Sequence, residues 1–213
     1  VRCVESFTEV LSLEEKPSII AIDIPIGLLD QKYSGGRECD ILARKRLRGR
    51  TSCVFSTPTR SQVTGPGVNR RGLSLQAQGI IPKIREVDAI MKRKPELQKH
   101  VREIHPEVCF ADVNGGQPIP YGKKSKKGKQ TRHDLLIKPC GFPCEFIELP
   151  IRDINKPHSN FFHRDDFYDA CIACWMAECI SEDMAIPIPE KPPIDSKHLP
   201  MAIWSLKRES IQK

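Results

Sequence analysis

Several features that would place a chain of this size in a functional class are scarce or absent here. No apolar run approaches the ~20 residues that a membrane-spanning helix requires, which argues against a membrane protein. The nine cysteines are odd in number and scattered, with no secretory leader before them. They therefore predict reduced thiols in the cytoplasm rather than a disulfide framework.

Short motifs for nucleotide and zinc binding are also missing. The segment Thr64-Gly65-Pro66-Gly67 lacks the Gly-Lys-Ser/Thr and the preceding strand of a phosphate-binding loop. Cys171 and Cys174 form a C-x-x-C inside an apolar segment, but no second pair follows at zinc spacing. Cys140 and Cys144 are likewise a weak signal, so neither pair by itself predicts a zinc site.

The composition that is present is that of an ordinary globular protein. Hydrophobic residues make up 39% of the 213 residues and charged residues 29%. This length suits one domain, with or without an insertion, and can bury a core without disulfides or metals. The net charge of +7 permits a polyanionic partner without requiring one.

Hydrophobic periodicity predicts alternating strands and helices. Ser18–Ile24 is a near-continuous apolar run, typical of a central parallel strand, and Val101–Ile104 is a second strand. Leu73–Lys92 has helical spacing, with Pro82 expected to kink or split it, and Asp165–Ile180 is apolar nearly all round, as in a buried helix. This alternation predicts an α/β architecture with a largely parallel core.

The last quarter of the chain gives weaker patterns. The prolines from Pro187 to Pro193 predict an extended linker, and Met201–Trp204 a late edge strand.

Acidic residues at strand ends and on the last helix are the candidate site. Asp23 interrupts an apolar strand near its carboxyl end, where a charge is costly unless it is paired, exposed or bound to a metal. A structural turn-capping role is equally compatible with it. Asp166 and Asp169 share one helix face, although helix capping also explains Asp166. Glu107 follows another strand end and could join them or lie on the surface.

A cluster of such carboxylates suits Mg²⁺ or Mn²⁺, because these hard ions prefer oxygen ligands. Basic residues could hold phosphates beside it. The candidates are Lys83, Arg85, Lys123, Lys124 and Arg132. The basic segment at about 121–132 can equally be a solvated loop, and Tyr121 is its only nearby aromatic, which gives little support for a base-stacking platform.

Long motifs in a fixed order carry a resemblance to a known family. They are IAIDIPIGL at Ile20–Leu28, GLSLQAQGIIPKIREVD at Gly72–Asp88, EIHPEVCF at Glu103–Phe110 and DDFYDACIACW at Asp165–Trp175. In that order the chain resembles the uncharacterised family of predicted nucleases with a ribonuclease-H-like (RNase H-like) fold, domain of unknown function four-two-nine. The resemblance covers about Val4 to Trp204.

The resemblance implies an RNase H-like mixed sheet flanked by helices, with a metal site at its centre. Asp23 would be the fourth-strand carboxylate, and Asp166 and Asp169 the pair from the last helix. Glu107 matches the family's His-Pro-Glu motif. Related chains begin with a strand carrying Asp-Gly, so we expect the opening strands, with their Asp, to be missing here.

These inferences combine into one expectation. Residues 1–205 would form a single domain with a helical insertion at about 30–100 and a basic loop at about 121–132, and residues 206–213 a flexible tail. Asp23, Asp166 and Asp169 would bind the metal and, with Glu107, catalyse phosphodiester hydrolysis of a nucleic acid. A catalytically inactive binding module on the same fold, or a hydrolase of small phosphorylated compounds, remains the alternative.

Overall fold

A computed structural model of the protein describes residues 2–65, 72–148 and 163–207. These ranges contain four short strands and eight α-helices. The strands are β1 (Ile20–Ile22), β2 (Val101–Glu103), β3 (Ala185–Ile188) and β4 (Ile203–Leu206). The helices are α1 (Phe7–Leu11), α2 (Glu38–Arg46), α3 (Arg60–Thr64), α4 (Leu75–Arg93), α5 (Pro106–Val113), α6 (Lys126–Ile137), α7 (Cys144–Ile147) and α8 (Arg164–Ser181).

The strands form two pairs that meet in the middle. β1 pairs in parallel with β2, and β3 pairs antiparallel with β4. A single parallel bridge between Ile104 and Trp204 joins the pairs, which gives the order β1-β2-β4-β3. The predicted mixed α/β architecture is therefore confirmed.

Alternation along β1 separates two hydrophobic layers. Ile19 and Ala21 contact the cluster built around α8, α5 and α6. Ile20 and Ile22 contact the cluster that contains residues of α1 and α4. Because side chains of a strand point alternately to opposite faces, the next odd position, Asp23, is directed to the α8 side.

A buried ion pair anchors the chain just after β1. Arg37, 1% exposed, contacts Glu103 of β2 through Nη2 and Oε1 (2.6 Å) and Asp40 through Nη2 and Oδ1 (2.7 Å). The Ile26 N–H donates to Glu103 Oε2 (2.6 Å), and Arg37 Nη1 donates to the Ile26 carbonyl (2.9 Å). These bonds hold the segment that follows Asp23.

A second carboxylate, Asp195, joins residues 195–199 to the segment that follows β1. Asp195 Oδ2 accepts the Leu28 N–H (2.9 Å), while its Oδ1 accepts the N–H groups of Lys197 (2.8 Å) and Leu199 (2.9 Å). Arg60 also contacts Asp195. The segment after β1 is thus fixed from both β2 and residues 195–199.

The sequence-based boundaries hold for the longer elements and fail for some proline-containing ones. α4 is not split, although Pro82 lies inside it; this proline is exposed. The predicted linker begins as strand β3, which contains Pro187. β3 pairs with β4 alone, and an edge strand tolerates a proline because one side of its backbone is unpaired.

The predicted basic loop also differs, and the predicted insertion can now be described. The basic segment is helical from Lys126 onward rather than a loop through residue 132, with Ser125 capping the helix. The region predicted as an insertion at about 30–100 contains α2 and α4, whose buried residues belong to the cores beside the sheet. The proposed tail lies mostly outside the described residues.

No helix in the described ranges has the length and apolar character needed to cross a membrane.

The anchoring ion pair gives the first prediction. Glu103→Gln retains an acceptor for the Ile26 N–H but leaves the Arg37 guanidinium buried with reduced charge compensation. We expect the free energy of unfolding, measured by urea denaturation, to fall by about 3–5 kcal/mol. Glu178→Gln, an exposed change on α8, is the matched control. A loss no larger than the control's would refute the anchoring role.

Candidate functional site

Asp23 follows β1 directly on the face covered by α8. Solvent reaches it, and protein atoms also surround it closely, as in a concave part of the surface. This crowding raises the pKa of Asp23, while the charges of His105 and Lys123 oppose the increase. The carboxylate therefore remains open to a ligand.

Helix α8 contributes two carboxylates that face Lys123. Lys123 Nζ lies 3.0 Å from Asp169 Oδ2 and 3.8 Å from Asp165 Oδ2. Asp165 is buried, whereas Asp166 is exposed and acts on Lys123 only through its charge. Sequence reasoning missed Asp165, although its spacing of four from Asp169 places both residues on one helix face.

The environment of Asp169 is strongly perturbed. Its Oδ1 is buried without a hydrogen-bond partner. Burial raises the pKa of Asp169 to about 6, against the opposing effect of Lys123, and the charges of Asp23 and Glu107 raise it further. The predicted site residues Asp23, Glu107 and Asp169 are thus close enough to interact electrostatically.

Glu107 lies in the first turn of α5 and is held by two arginines. Arg132 Nη2 contacts Glu107 Oε1 at 2.5 Å, and Arg50 Nη2 lies 3.9 Å from Oε2. Arg132 is fully buried and stacks on Phe110, so its guanidinium balances Glu107 and is not a surface phosphate ligand.

His105, which immediately precedes α5, adds a polar group beside Asp23. Its Nε2 lies 3.2 Å from the Cys53 carbonyl, and its buried Nδ1 has no hydrogen-bond partner. The imidazole is therefore fixed on one side only.

The remaining basic candidates divide between the two faces of the sheet. Lys124 is exposed beside Lys123, close to the carboxylates. Lys83 and Arg85 lie on α4, on the opposite face, where Arg85 Nε donates to the Val63 carbonyl (2.7 Å). The structure does not bring Lys83 and Arg85 to the acidic cluster.

The donor set fits a hard divalent cation in charge and chemistry. Arg132 balances the charge of Glu107. Lys123 then faces the four remaining carboxylates, which are Asp23, Asp165, Asp166 and Asp169. Within the described part of the chain, no three of these carboxylates lie within 4.8 Å of one another. An ion held here would keep several waters, as Mg²⁺ does, and would take over the contacts of Lys123.

Two sizeable cavities lie away from this cluster. One of about 740 Å³ is lined by the segment 32–36 and by Gln62 and Leu73. Another of about 840 Å³ is lined by Lys45, Arg46 and Arg48. Neither cavity is lined by Asp23 or Asp169.

The fold and site together define an α/β protein with an acidic cluster beside the end of its first described strand. The chain belongs to the family described as Protein of unknown function (DUF429), whose model matches residues 1–194. No curated protein and no solved structure matches it.

The second prediction concerns the titration of Asp169. Its pKa lies above the ordinary 3.8, at about 6. Between pH 3.8 and about 6 the folded chain binds more protons than the unfolded chain, so the contribution of this carboxyl to stability falls as pH rises. We expect an NMR titration of the Asp169 side-chain carbon to show a midpoint near 6.

Lys123→Gln should raise this midpoint further, because it removes the cation that favours the ionised carboxyl. Lys124→Gln is the control and should leave it unchanged. A midpoint near 3.8 in the parent, or a decrease in Lys123→Gln, would contradict the described geometry.

Proposed function

We propose that this chain is a divalent-metal-dependent nuclease with an RNase H-like arrangement of its catalytic carboxylates. The observation that carries the proposal is the state of Asp169. This carboxyl has a buried oxygen without a partner, has a raised pKa, and is coupled electrostatically to Asp23 and Glu107. Perturbed carboxyls that share a site are typical of catalytic centres.

The proposed roles follow from position and charge. Asp23, Asp166 and Asp169 would hold Mg²⁺ or Mn²⁺, and Asp165 joins them because it faces Lys123 together with Asp169. When bound, such an ion activates a water and stabilises the leaving oxygen in phosphodiester cleavage. Glu107, held by Arg132, would orient that water.

The RNase H-like assignment has partial support. A parallel strand pair places Asp23 on the side of the sheet that α8 covers, and α8 supplies the other carboxylates. This is the arrangement that the family resemblance implies for the fourth-strand and last-helix residues.

A nucleic-acid substrate would meet exposed cations beside the cluster. Lys124, Lys126 and Lys127 are exposed, and Lys127 Nζ lies 5.5 Å from the centroid of the Tyr121 ring. Contacts of such lysines with phosphates would supply sequence-independent affinity. The cysteines, nine in number and scattered along the chain, fit a reducing compartment such as the cytoplasm.

One observation favours the alternative of a non-catalytic binding module. The Lys123 ammonium lies against Asp169 and Asp165, so it competes with a metal ion for the same oxygens. A module of this kind would bind nucleic acid in a salt-dependent way, without cleavage and without response to a chelator.

The third prediction tests the nuclease proposal. With Mg²⁺ or Mn²⁺, Asp23→Asn and Asp169→Asn should each lower the rate of nucleic-acid cleavage at least about a hundredfold, because metal coordination supplies several kcal/mol of transition-state stabilisation. Cleavage of labelled single- and double-stranded DNA and RNA is the measurement. A chelator should stop the reaction.

Glu178→Gln, on the exposed side of α8, is the matched control and should cleave at the parent rate. Circular dichroism would establish that each variant is folded. The proposal is wrong if Asp23→Asn cuts as fast as the parent. Binding without cleavage in the parent would instead support the binding module.

A further inference from the structure

A second group of metal-binding side chains lies between helices α6 and α7. One ligand atom from each of His133, Cys144 and Glu148 lies within 4.8 Å of the other two. Within the described residues, no other set of three His, Cys, Asp or Glu side chains meets this distance. The group includes none of the carboxylates of the acidic cluster.

The histidine of this group is already oriented for coordination. His133 Nδ1 lies 3.2 Å from Asp134 Oδ1, and since an ionised carboxylate can only accept, Nδ1 carries the proton. In the neutral ring Nε2 then holds the lone pair, and it lies 3.6 Å from Glu148 Oε1. Metal-bound histidines commonly donate their other ring N–H to a carboxylate in this way.

The supporting carboxylate is itself held in place. Gln130 Nε2 donates to Asp134 Oδ1 (2.9 Å), one helical turn earlier on α6. The His133 ring also packs edge-on against Tyr168 of α8, with ring centroids 6.5 Å apart. Two sets of contacts therefore restrict the imidazole before any ion binds.

We propose that His133, Cys144 and Glu148 form a zinc site that joins α6 to α7. One imidazole nitrogen, one sulfur and one carboxylate oxygen are the mixed ligands that Zn²⁺ accepts, whereas Mg²⁺ prefers oxygen alone.

The spacing of the ligand atoms also suits zinc. Ligands at the ordinary zinc bond lengths of about 2.0–2.3 Å lie about 3.3–3.8 Å apart in a tetrahedral site, and the Nε2–Oε1 distance falls in that range. Cys144 and Glu148 are exposed, so a water can complete the coordination and the ion can exchange with solvent.

The site has a structural consequence for the acidic cluster. Arg132, the neighbour of His133 on α6, is the residue that balances Glu107. Zinc would fix the helix that carries Arg132, because it would tie His133 of α6 to Cys144 and Glu148 at the two ends of α7.

The experiment begins with protein freed of metal by a chelator and kept reduced. Calorimetric titration with ZnCl₂ should show one tight equivalent, and CoCl₂ should produce the near-ultraviolet absorption of a cobalt–thiolate bond. Cys144→Ser should abolish that absorption and weaken zinc binding by about 100-fold or more, and Asp134→Ala, which removes only the supporting carboxylate, by about 10- to 100-fold.

Cys174→Ser removes another exposed thiol and should leave both signals unchanged. Asp169→Asn should also leave them unchanged, which separates this site from the proposed nuclease site. Circular dichroism of each variant checks its fold. The proposal is overturned if cobalt gives no thiolate absorption, or if Cys144→Ser binds zinc as tightly as the parent.

Discussion

The charge compensation of one buried guanidinium determines how the first strand is presented to the rest of the molecule. Arg37 lies between Glu103 of β2 and Asp40 of α2, and all three side chains are almost completely buried. Taking these charges out of water is costly, and the cost is offset only while every partner stays in place. Glu103 accepts the N–H of Ile26, and Arg37 donates to the Ile26 carbonyl. The chain therefore leaves β1 along one defined path, and Asp23 occupies a fixed position.

At the acidic cluster, by contrast, carboxylates repel one another. Carboxylates from the end of β1 and from α8 approach one another, with Lys123 as the cation between them and Arg132 committed to Glu107. A proton on Asp169, whose pKa is raised to about 6, relieves part of the negative charge, and a bound cation would do the same. Such a site is held together by the packing around it rather than by attraction among its members.

The elements with a strong hydrophobic pattern could be predicted from the sequence, as β1, α4 and α8 show. Their apolar spacing is a local pattern that can be read without knowing which elements pack against them. Helix α6 was mistaken for a loop because its surface is basic, and β3 for a linker because of Pro187. In both cases long-range packing or an edge position outweighs the local preference.

Two residues of the candidate site could be predicted because each interrupts a local hydrophobic pattern. Asp23 was identifiable because a charge interrupts an apolar strand, and Asp169 because it lies deep in an apolar helix. Asp165 was missed, and Lys123 could be placed between these carboxylates only in three dimensions. His133, Cys144 and Glu148 escaped notice because the histidine precedes the cysteine and the set fits no finger spacing.

The bond from Leu28 N–H to Asp195 spans 167 positions of the chain. Leu28 is nearly inaccessible to water, so until residue 195 has been synthesised its buried amide lacks this acceptor. The turn after the first described strand therefore cannot be completed during translation before residue 195 has been made. A nascent chain stopped a few residues short of Asp195 would hold this turn only through Glu103 and Arg37.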